Sequence, residues 1–225
     1  MRPGLTVGVI FSLRDLGRAV RMRRPPDLFE LRLDALATAL DRVEATIPSL
    51  RAPLIVTARD PREGGANVLS LRTRRALLER FLPYAAYVDL ELRLTESYHA
   101  LRLEADRKSV KQILSFHDFR GTPALAVLSG KAEDAIQDEA HIFKVATLVD
   151  TQTQLARLIT FFDHAAPRIP LAAMGLGPLG RQSRIALVRR GSVLSYAHLG
   201  DPQIDGQLSL AEVRAALRRP LRAEL

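Results

Sequence analysis

Lys144 lies within a short apolar segment, between Phe143 and Val145. Removal from water disfavours a charged amine, so we expect burial to lower the pKa of this lysine and to make it nucleophilic. A nucleophilic amine condenses with a ketone or aldehyde to an iminium, which makes a proton on the neighbouring carbon easier to remove. His117 ends another apolar segment and is a candidate to take that proton and return it to a leaving hydroxyl. These residues predict Schiff-base chemistry.

Charged residues also alternate within two other apolar segments. Glu30 and Arg32 are two residues apart, as are Asp89 and Glu91, so each pair lies on one face of a strand. Each pair alone has a structural explanation, as an ion pair or as satisfied core carboxylates, and so does a single buried histidine or lysine. Five successive segments nevertheless carry ionisable groups, which a purely structural core does not need. Carboxylates that bind hydroxyls and arginines that bind a carboxylate indicate a polyhydroxylated keto acid as the substrate.

The elements that position these residues alternate regularly along the chain. Short apolar segments rich in Val, Ile and Phe predict strands that are buried on both faces. They cover residues 5–10, 28–33, 54–58, 87–92, 112–116, 142–146, 171–174 and 192–196. Helical patterns lie between them, at residues 16–24, 35–46, 71–82, 95–107, 131–138, 153–164, 182–190 and 211–219. Ser70 and Ser209 are expected N-caps, and Glu212 completes a capping box with Ser209.

Eight strands that alternate with eight helices predict an α/β fold, a single (β/α)8 TIM barrel over residues 1–225. A doubly wound open sheet is the alternative. It needs fewer units, however, and the sequence has no glycine-rich phosphate turn after the first strand. Barrels carry their active sites at the carboxyl ends of the strands, so we expect the polar residues described above to meet at one end.

Composition and charge argue against several other functions. The chain has no cysteine, which excludes disulfides, thiolate metal ligands and thiol nucleophiles. No apolar stretch of about 18 residues and no apolar segment at the N-terminus are present, so we expect a cytoplasmic protein without a membrane span. The net charge is +8, but the arginine clusters at 21–24, 72–75 and 214–222 fit solvated helix faces or ends. With 5% aromatic residues and no tryptophan, nucleic-acid binding is not expected.

The motifs at the predicted strand ends resemble those of type I 3-dehydroquinate dehydratases. They occur in that family's order, with compatible spacing, from the second strand to the eighth, and so cover nearly the whole chain. Each motif is weak by itself, whereas the ordered set is specific. The motifs are Glu30-Leu31-Arg32-Leu33-Asp34, Thr57-Ala58-Arg59 with Glu63-Gly64-Gly65, Asp89-Leu90-Glu91, Ser115-Phe116-His117-Asp118-Phe119, Phe143-Lys144-Val145-Ala146, and Met174-Gly175 with Gly180 and Ser183-Arg184.

The resemblance implies a lyase of the shikimate pathway, which leads to the aromatic amino acids, that converts 3-dehydroquinate into 3-dehydroshikimate and water. It implies that Lys144 forms an imine with the C3 ketone, that His117 is the general base on C2 and protonates the leaving C1 hydroxyl, and that Glu63 orients His117. The substrate-binding residues that it implies are Glu30, Arg32 and Arg59 at the ring hydroxyls, Arg184 at the C1 carboxylate, and Met174 and Gln207. It implies no metal ion and no organic cofactor. Members of this family often form dimers, which leaves a homodimer open.

The loop after the eighth strand departs from the family pattern. The family has Ser or Thr followed by Ala-Pro-Gly-Gln in this loop, which closes on the substrate, whereas this chain has residues 203–207 as Gln-Ile-Asp-Gly-Gln. Gln203 replaces the hydroxyl residue, and Asp205 replaces the proline. Asp205 brings a negative charge close to the expected substrate carboxylate. We expect Asp205 to face solvent and Ile204 to face the site.

Two other functions remain open from the sequence. Another class I Schiff-base lyase or aldolase would also use Lys144 but would break a carbon–carbon bond. A non-catalytic barrel related to the dehydroquinases is conceivable because of the altered loop. Turnover of 3-dehydroquinate and trapping of the imine distinguish these functions.

Overall fold

The strands form one curled sheet whose pairings are all parallel. The computed structural model describes residues 4–218, and their strands are β1 (Leu5–Ile10), β2 (Leu28–Arg32), β3 (Leu54–Thr57), β4 (Ala85–Glu91), β5 (Lys111–Asp118), β6 (Ile142–Leu148), β7 (Leu171–Leu176), β8 (Leu194–His198) and β9 (Leu208–Ser209). The order in the sheet is β7-β6-β5-β4-β3-β2-β1-β8-β9. Just before β8, the Val193 N–H donates to the Leu171 carbonyl at 3.0 Å, which brings β7 against β8. The predicted (β/α)8 barrel is confirmed.

Each of the strands β1–β7 is followed by one helix, and the short β9 lies between β8 and the last helix. The helices are α1 (Leu13–Arg21), α2 (Leu40–Thr46), α3 (Leu71–Phe81), α4 (His99–Arg107), α5 (Leu125–Gln137), α6 (Gln152–Ala165), α7 (Gly180–Arg190) and α8 (Leu210–Leu217). Ser70 caps α3, and Ser209 forms the expected capping box with Glu212 at the start of α8. Within residues 4–218, no helix has the length and apolar character that crossing a membrane requires.

Several predicted boundaries were wrong for identifiable reasons. Helix α1 starts at Leu13 rather than at residue 16, because the Ser12 side chain accepts the Asp15 N–H and caps the helix there. Helix α5 begins six residues before the predicted start, since neither Ala124, which has no capping side chain, nor Gly130 inside the helix gives a helical signal. Residues 35–38 form turns rather than helix, and α2 begins only at Leu40. The predicted end of the last helix at residue 219 lies outside the described residues.

Strand alternation separates two cores. Side chains such as Phe143 and Val145 of β6 pack between the sheet and the helices, in the larger core. Ala146 packs in the smaller core inside the barrel. Because side chains alternate along a strand, Lys144 also faces the barrel interior, although its neighbours in the sequence are apolar.

Arg74 contradicts the expectation that the cluster at 72–75 is solvated. The residue is 1% exposed, because it shares the inner face of α3 with Leu77, Leu78 and Phe81. Its guanidinium lies 2.6 Å from Asp60 and 3.0 Å from Glu91, and these carboxylates compensate its buried charge. The other positions of that cluster are exposed or half-buried. Arg219 and Arg222 of the third cluster lie outside the described residues.

Candidate active site

A cavity of about 250 Å³ opens at the carboxyl ends of the strands. All nine predicted site residues line it, namely Glu30, Arg32, Arg59, Glu63, His117, Lys144, Met174, Arg184 and Gln207. They come from β2, β5, β6, β7, α7 and the two connections that follow β3 and β8. The fold therefore brings together residues that are up to 177 positions apart in the chain.

Lys144 is surrounded by carboxylates and an aromatic ring. Its Nζ atom lies 2.8 Å from Asp89 Oδ2 and 3.6 Å from Glu30 Oε1. The same atom is 4.1 Å from the centre of the Tyr196 ring, and the residue is 5% exposed. The prediction that Lys144 has apolar surroundings was wrong, because the side chains of Phe143 and Val145 point away from the barrel interior, toward the helices. The amine is buried, as expected, but two carboxylates compensate its charge.

Glu30 and Arg32 do not form the ion pair that their spacing suggests. Glu30 accepts a hydrogen bond from the Thr57 hydroxyl at 2.9 Å. Arg32 instead binds Asp34 through two nitrogens, at 3.0 and 2.8 Å, and donates to the Gly64 carbonyl. This bidentate contact leaves the carboxylate of Glu30 directed at Lys144, and it fixes the guanidinium of Arg32 at the cavity wall.

The imidazole of His117 is paired with the carboxylate of Glu63. Nδ1 lies 3.0 Å from Glu63 Oε2. Burial, together with the positive charges of Arg59 and Lys144, holds the pKa of His117 well below its usual 6.5. Burial also raises the pKa of Glu63 from 4.5 to about 7. A neutral imidazole next to an ionised carboxylate donates Nδ1–H to it and leaves the Nε2 lone pair free as a base.

Arg59 and the two carboxylates of β4 form a network beneath the cavity. Arg59 lies 2.8 Å from Asp89 and 3.3 Å from Glu91, and it donates to the Ser115 hydroxyl at 2.7 Å. Burial opposes its charge, but the carboxylates of Asp89 and Glu91 outweigh this effect and raise the pKa of Arg59 well above its usual value. Asp89 joins this network to Lys144. The roles of Asp89 and Glu91, which the sequence left open, are therefore charge compensation.

Arg184 is a buried cation that has no acidic partner in the described part of the chain. It is 5% exposed, and its guanidinium donates to the carbonyls of Gly175, at 3.0 Å, and Tyr196, at 3.4 Å. Among residues 4–218, no carboxylate lies within 4.0 Å of it, and burial lowers the pKa of Arg184 from its usual value to about 10. A buried guanidinium that lines a cavity and lacks an anion is suited to bind the carboxylate of a ligand.

The loop after β8 covers part of the cavity. Gln203, Ile204 and Gln207 line it, whereas Asp205 is exposed, which confirms the expected orientations. The Gln207 side chain accepts the Gln203 N–H at 2.8 Å and so ties the loop together. Gly206 has a φ of 80°, and a Cβ there would lie 2.7 Å from the backbone of Gly180, so this position requires glycine.

Sequence reasoning missed several residues of the site. Phe11 lies beneath the Arg32 guanidinium, at 5.1 Å from the ring centre, and also lines the cavity. Phe119 was noted only as part of a motif, yet it packs so tightly on Gly64 that a Cβ there would approach its ring to 2.5 Å. Arg93 lies behind the cavity and contacts Glu63 at 2.9 Å. Phe11 and Phe119 each directly follow the last residue of a strand, β1 and β5. This position at the carboxyl end of a strand is the one sequence signal that could have identified them as site residues.

Comparisons with known proteins agree with this geometry. The protein-family model described as type I 3-dehydroquinase matches residues 13–220 of this chain. The 3-dehydroquinate dehydratase of Desulfotalea psychrophila is 32% identical over 198 residues, which are 86% of this chain and 87% of that protein. The enzyme of the same name from Pyrococcus abyssi is 34% identical over 85% of this chain and 86% of its own.

Solved structures give the same result. The crystal structure of 3-dehydroquinate dehydratase from Geobacillus kaustophilus has a TM-score of 0.86 at 28% identity and covers 97% of this chain and 91% of its own. Taken with the family match over residues 13–220, these similarities show that the chain belongs to the type I 3-dehydroquinase family, a family of hydro-lyases.

Proposed function

We propose that this chain dehydrates 3-dehydroquinate to 3-dehydroshikimate, a step of the shikimate pathway, through a Schiff base on Lys144. The observation that carries the proposal is the arrangement of one cavity. A buried amine, the neutral imidazole of His117 and the guanidinium of Arg184, which no carboxylate of residues 4–218 pairs with, all line it. A ketone, an acidic C–H bond and a carboxylate in one small molecule match these three groups.

The first step is the attack of the Lys144 amine on the C3 ketone. The ammonium first gives up a proton, and Glu30, at 3.6 Å from Nζ, is the acceptor. Asp89 is closer, at 2.8 Å. Burial favours its protonation, but the charges of Arg59 and Lys144 outweigh this effect and hold the pKa of Asp89 well below its usual range, so it stays ionised. Addition gives a carbinolamine, which loses water to form the iminium. The carboxylates of Asp89 and Glu30 and the Tyr196 ring that compensate the ammonium then stabilise the cationic iminium in the same place.

His117 carries out the proton transfers. Its free Nε2 removes a proton from C2, and the electron pair moves into the iminium to give an enamine. The enamine expels the C1 hydroxyl, which takes the proton from the imidazolium and leaves as water. Hydrolysis of the product iminium then releases 3-dehydroshikimate and the free amine, so one water is released overall. Glu63 stabilises the imidazolium between these steps.

The remaining residues bind the ring of the substrate. Arg184 holds the C1 carboxylate, which places C2 near His117. Glu30, Arg32 and Arg59 face the ring hydroxyls, while Met174 packs on the ring. Gln207 contacts the substrate from the loop after β8. So many charged side chains around one cavity do not suit an apolar ligand, and they favour a hydroxylated acid as the substrate.

Turnover and trapping together test the proposal. With 3-dehydroquinate, the protein should produce the absorbance of a conjugated enoate, and borohydride added with the substrate should label Lys144. Lys144→Arg should abolish both, since a guanidinium is not deprotonated and cannot form the imine. Lys111→Arg is a control, because Lys111 is exposed and lies at the start of β5.

Each alternative function gives a different outcome. Labelling of Lys144 without formation of the enoate would indicate another Schiff-base lyase. Binding of the substrate without labelling or turnover would indicate a non-catalytic barrel. Labelling of Lys108, Lys111 or Lys131 in place of Lys144 would refute the assignment of the nucleophile.

A further inference from the structure

Arg93 lies in the short 3-10 turn Leu92–Leu94 that follows β4, outside the group of residues that line the cavity. We propose that Arg93 is a positioning residue for the general base: its guanidinium fixes the Glu63 carboxylate, and Glu63 orients His117. This inference rests on the proposed role of His117. It extends that role to a residue that does not touch the substrate.

The contacts form a chain from the partly exposed Arg93 through Glu63 to the imidazole of His117. Arg93 Nε lies 2.9 Å from Glu63 Oε1, and the other oxygen of this carboxylate, Oε2, lies 3.0 Å from His117 Nδ1. Each oxygen of Glu63 therefore has one partner, so the carboxylate cannot rotate without losing both contacts. The side chain of Arg93 is itself 37% exposed, whereas that of Glu63 is 6% exposed.

A second carboxylate holds the other end of the guanidinium. Arg93 Nη2 lies 2.7 Å from Asp60 Oδ2, and the same oxygen lies 2.6 Å from the buried Arg74. Asp60 also caps the 3-10 turn Pro61–Glu63, where its Oδ1 accepts the Arg62 N–H. Asp60 is thus held by Arg74 and by the Arg62 N–H, and it fixes the guanidinium of Arg93, which in turn fixes the carboxylate of Glu63.

The charge of Arg93 also favours the form of Glu63 that a base requires. If Glu63 were protonated, it would donate to Nδ1 of His117, and the imidazole would carry its proton on Nε2, where it is no longer a base. The charged groups that face this pair are Arg32, Arg59, Asp60, Asp89, Glu91, Arg93 and Lys144. Burial and Glu91 favour protonation of Glu63, whereas Arg59 and Arg93 oppose it. Removing Arg93 should therefore let the pair take up its proton at higher pH.

The test compares Arg93→Gln and Arg93→Lys with Arg80→Gln in the full-length chain. Arg80 is a matched control, since its side chain is also 37% exposed and also contacts two carboxylates, Asp41 and Glu44, away from the site. The first measurement is the pH profile of kcat/KM. The second is the NMR titration of the His117 imidazole without substrate, assigned with the variant His117→Gln.

We expect Arg93→Gln to move the acid limb of the profile and the His117 titration to higher pH, by about half a pH unit or more. Arg93→Lys should shift both measurements less than Arg93→Gln does, because lysine keeps the positive charge but lacks the two-pronged donors of the guanidinium. Arg80→Gln should move neither. The proposal is overturned if Arg93→Gln moves neither measurement, or if Arg80→Gln moves both equally.

The two measurements separate this inference from the proposed function. If the wild-type chain does not turn over 3-dehydroquinate, the proposed function fails, yet the substrate-free titration still tests the link from Arg93 to His117. If turnover is normal and Arg93→Gln does not shift the titration, the proposed function stands and the role of Arg93 is wrong. A thermal unfolding midpoint recorded for each variant identifies a general loss of structure.

Discussion

The carboxylate of Glu63 and the imidazole of His117 lie 3.0 Å apart, and their pKa values are shifted in opposite directions, so that Glu63 takes up a proton at higher pH than His117. Burial raises the pKa of Glu63 to about 7 and lowers that of His117 below 6.5. Their protonation is therefore coupled, and the pH dependence of the reaction belongs to the pair. The pair is competent as a base when Glu63 is ionised and His117 is neutral.

The first prediction concerns this pH dependence. Because the raised pKa of Glu63 is about 7, kcat/KM should fall as the pH drops below about 7. Glu63→Gln removes this group and keeps an oxygen that accepts from Nδ1–H, so the acid limb should move to lower pH, where only His117 titrates. The rate at high pH should fall, but less than the roughly 10²–10⁴-fold loss expected for His117→Ala. Steady-state kinetics between pH 5 and 9 give these values, and an unmoved acid limb in Glu63→Gln would contradict the assignment.

The second prediction concerns the buried cation. Arg184→Lys should raise KM for 3-dehydroquinate by about 10- to 100-fold, because a single ammonium replaces a bidentate guanidinium and a charged hydrogen bond is lost. Arg190→Lys on the same helix is the control, since Arg190 pairs with Asp163 and does not line the cavity. Equal KM values for the two variants would show that Arg184 does not bind the substrate.

The third prediction concerns the loop after β8. Gln207→Ala should raise KM by roughly tenfold, because the side chain both lines the cavity and holds the backbone of Gln203. Asp205→Asn should leave KM unchanged, since Asp205 is exposed and its charge points away from the site. A lower KM in Asp205→Asn would mean that this charge does reach the substrate carboxylate.

The fourth prediction is about stability. Arg74→Ala removes the buried cation nearest to both Asp60 and Glu91, which keep only Arg93 and Arg59, so the free energy of unfolding should fall by about 3–5 kcal/mol. Arg72→Ala, two residues earlier on the exposed face of α3, should change it by less than about 0.5 kcal/mol. Urea unfolding of both variants at neutral pH gives the comparison. A loss of similar size in both would mean that the helix, and not the buried ion pairs, controls the effect.

The sequence by itself determined the fold class and the composition of the site. The strand and helix patterns are local properties of the chain, and most of the polar motifs lie within strands or just after them, so a parallel barrel collects them at one end. The strand positions indicated the polar residues from Glu30 to Arg184, and the resemblance to type I 3-dehydroquinate dehydratases supplied their roles and added Gln207 before any contact was known. The capping signals at Ser70 and Ser209 were equally local and equally reliable.

Only the tertiary structure decided which charges pair with each other. Spacing placed Glu30 next to Arg32, yet Glu30 faces Lys144 and Arg32 binds Asp34. Arg74 belongs by sequence to a solvated cluster, but the packing of α3 buries it against Asp60. Arg93 reaches Glu63 across 30 positions of the chain, and no local pattern indicates that contact. Ion pairing depends on distances between separate elements of the barrel, and such distances exist only once the sheet has closed.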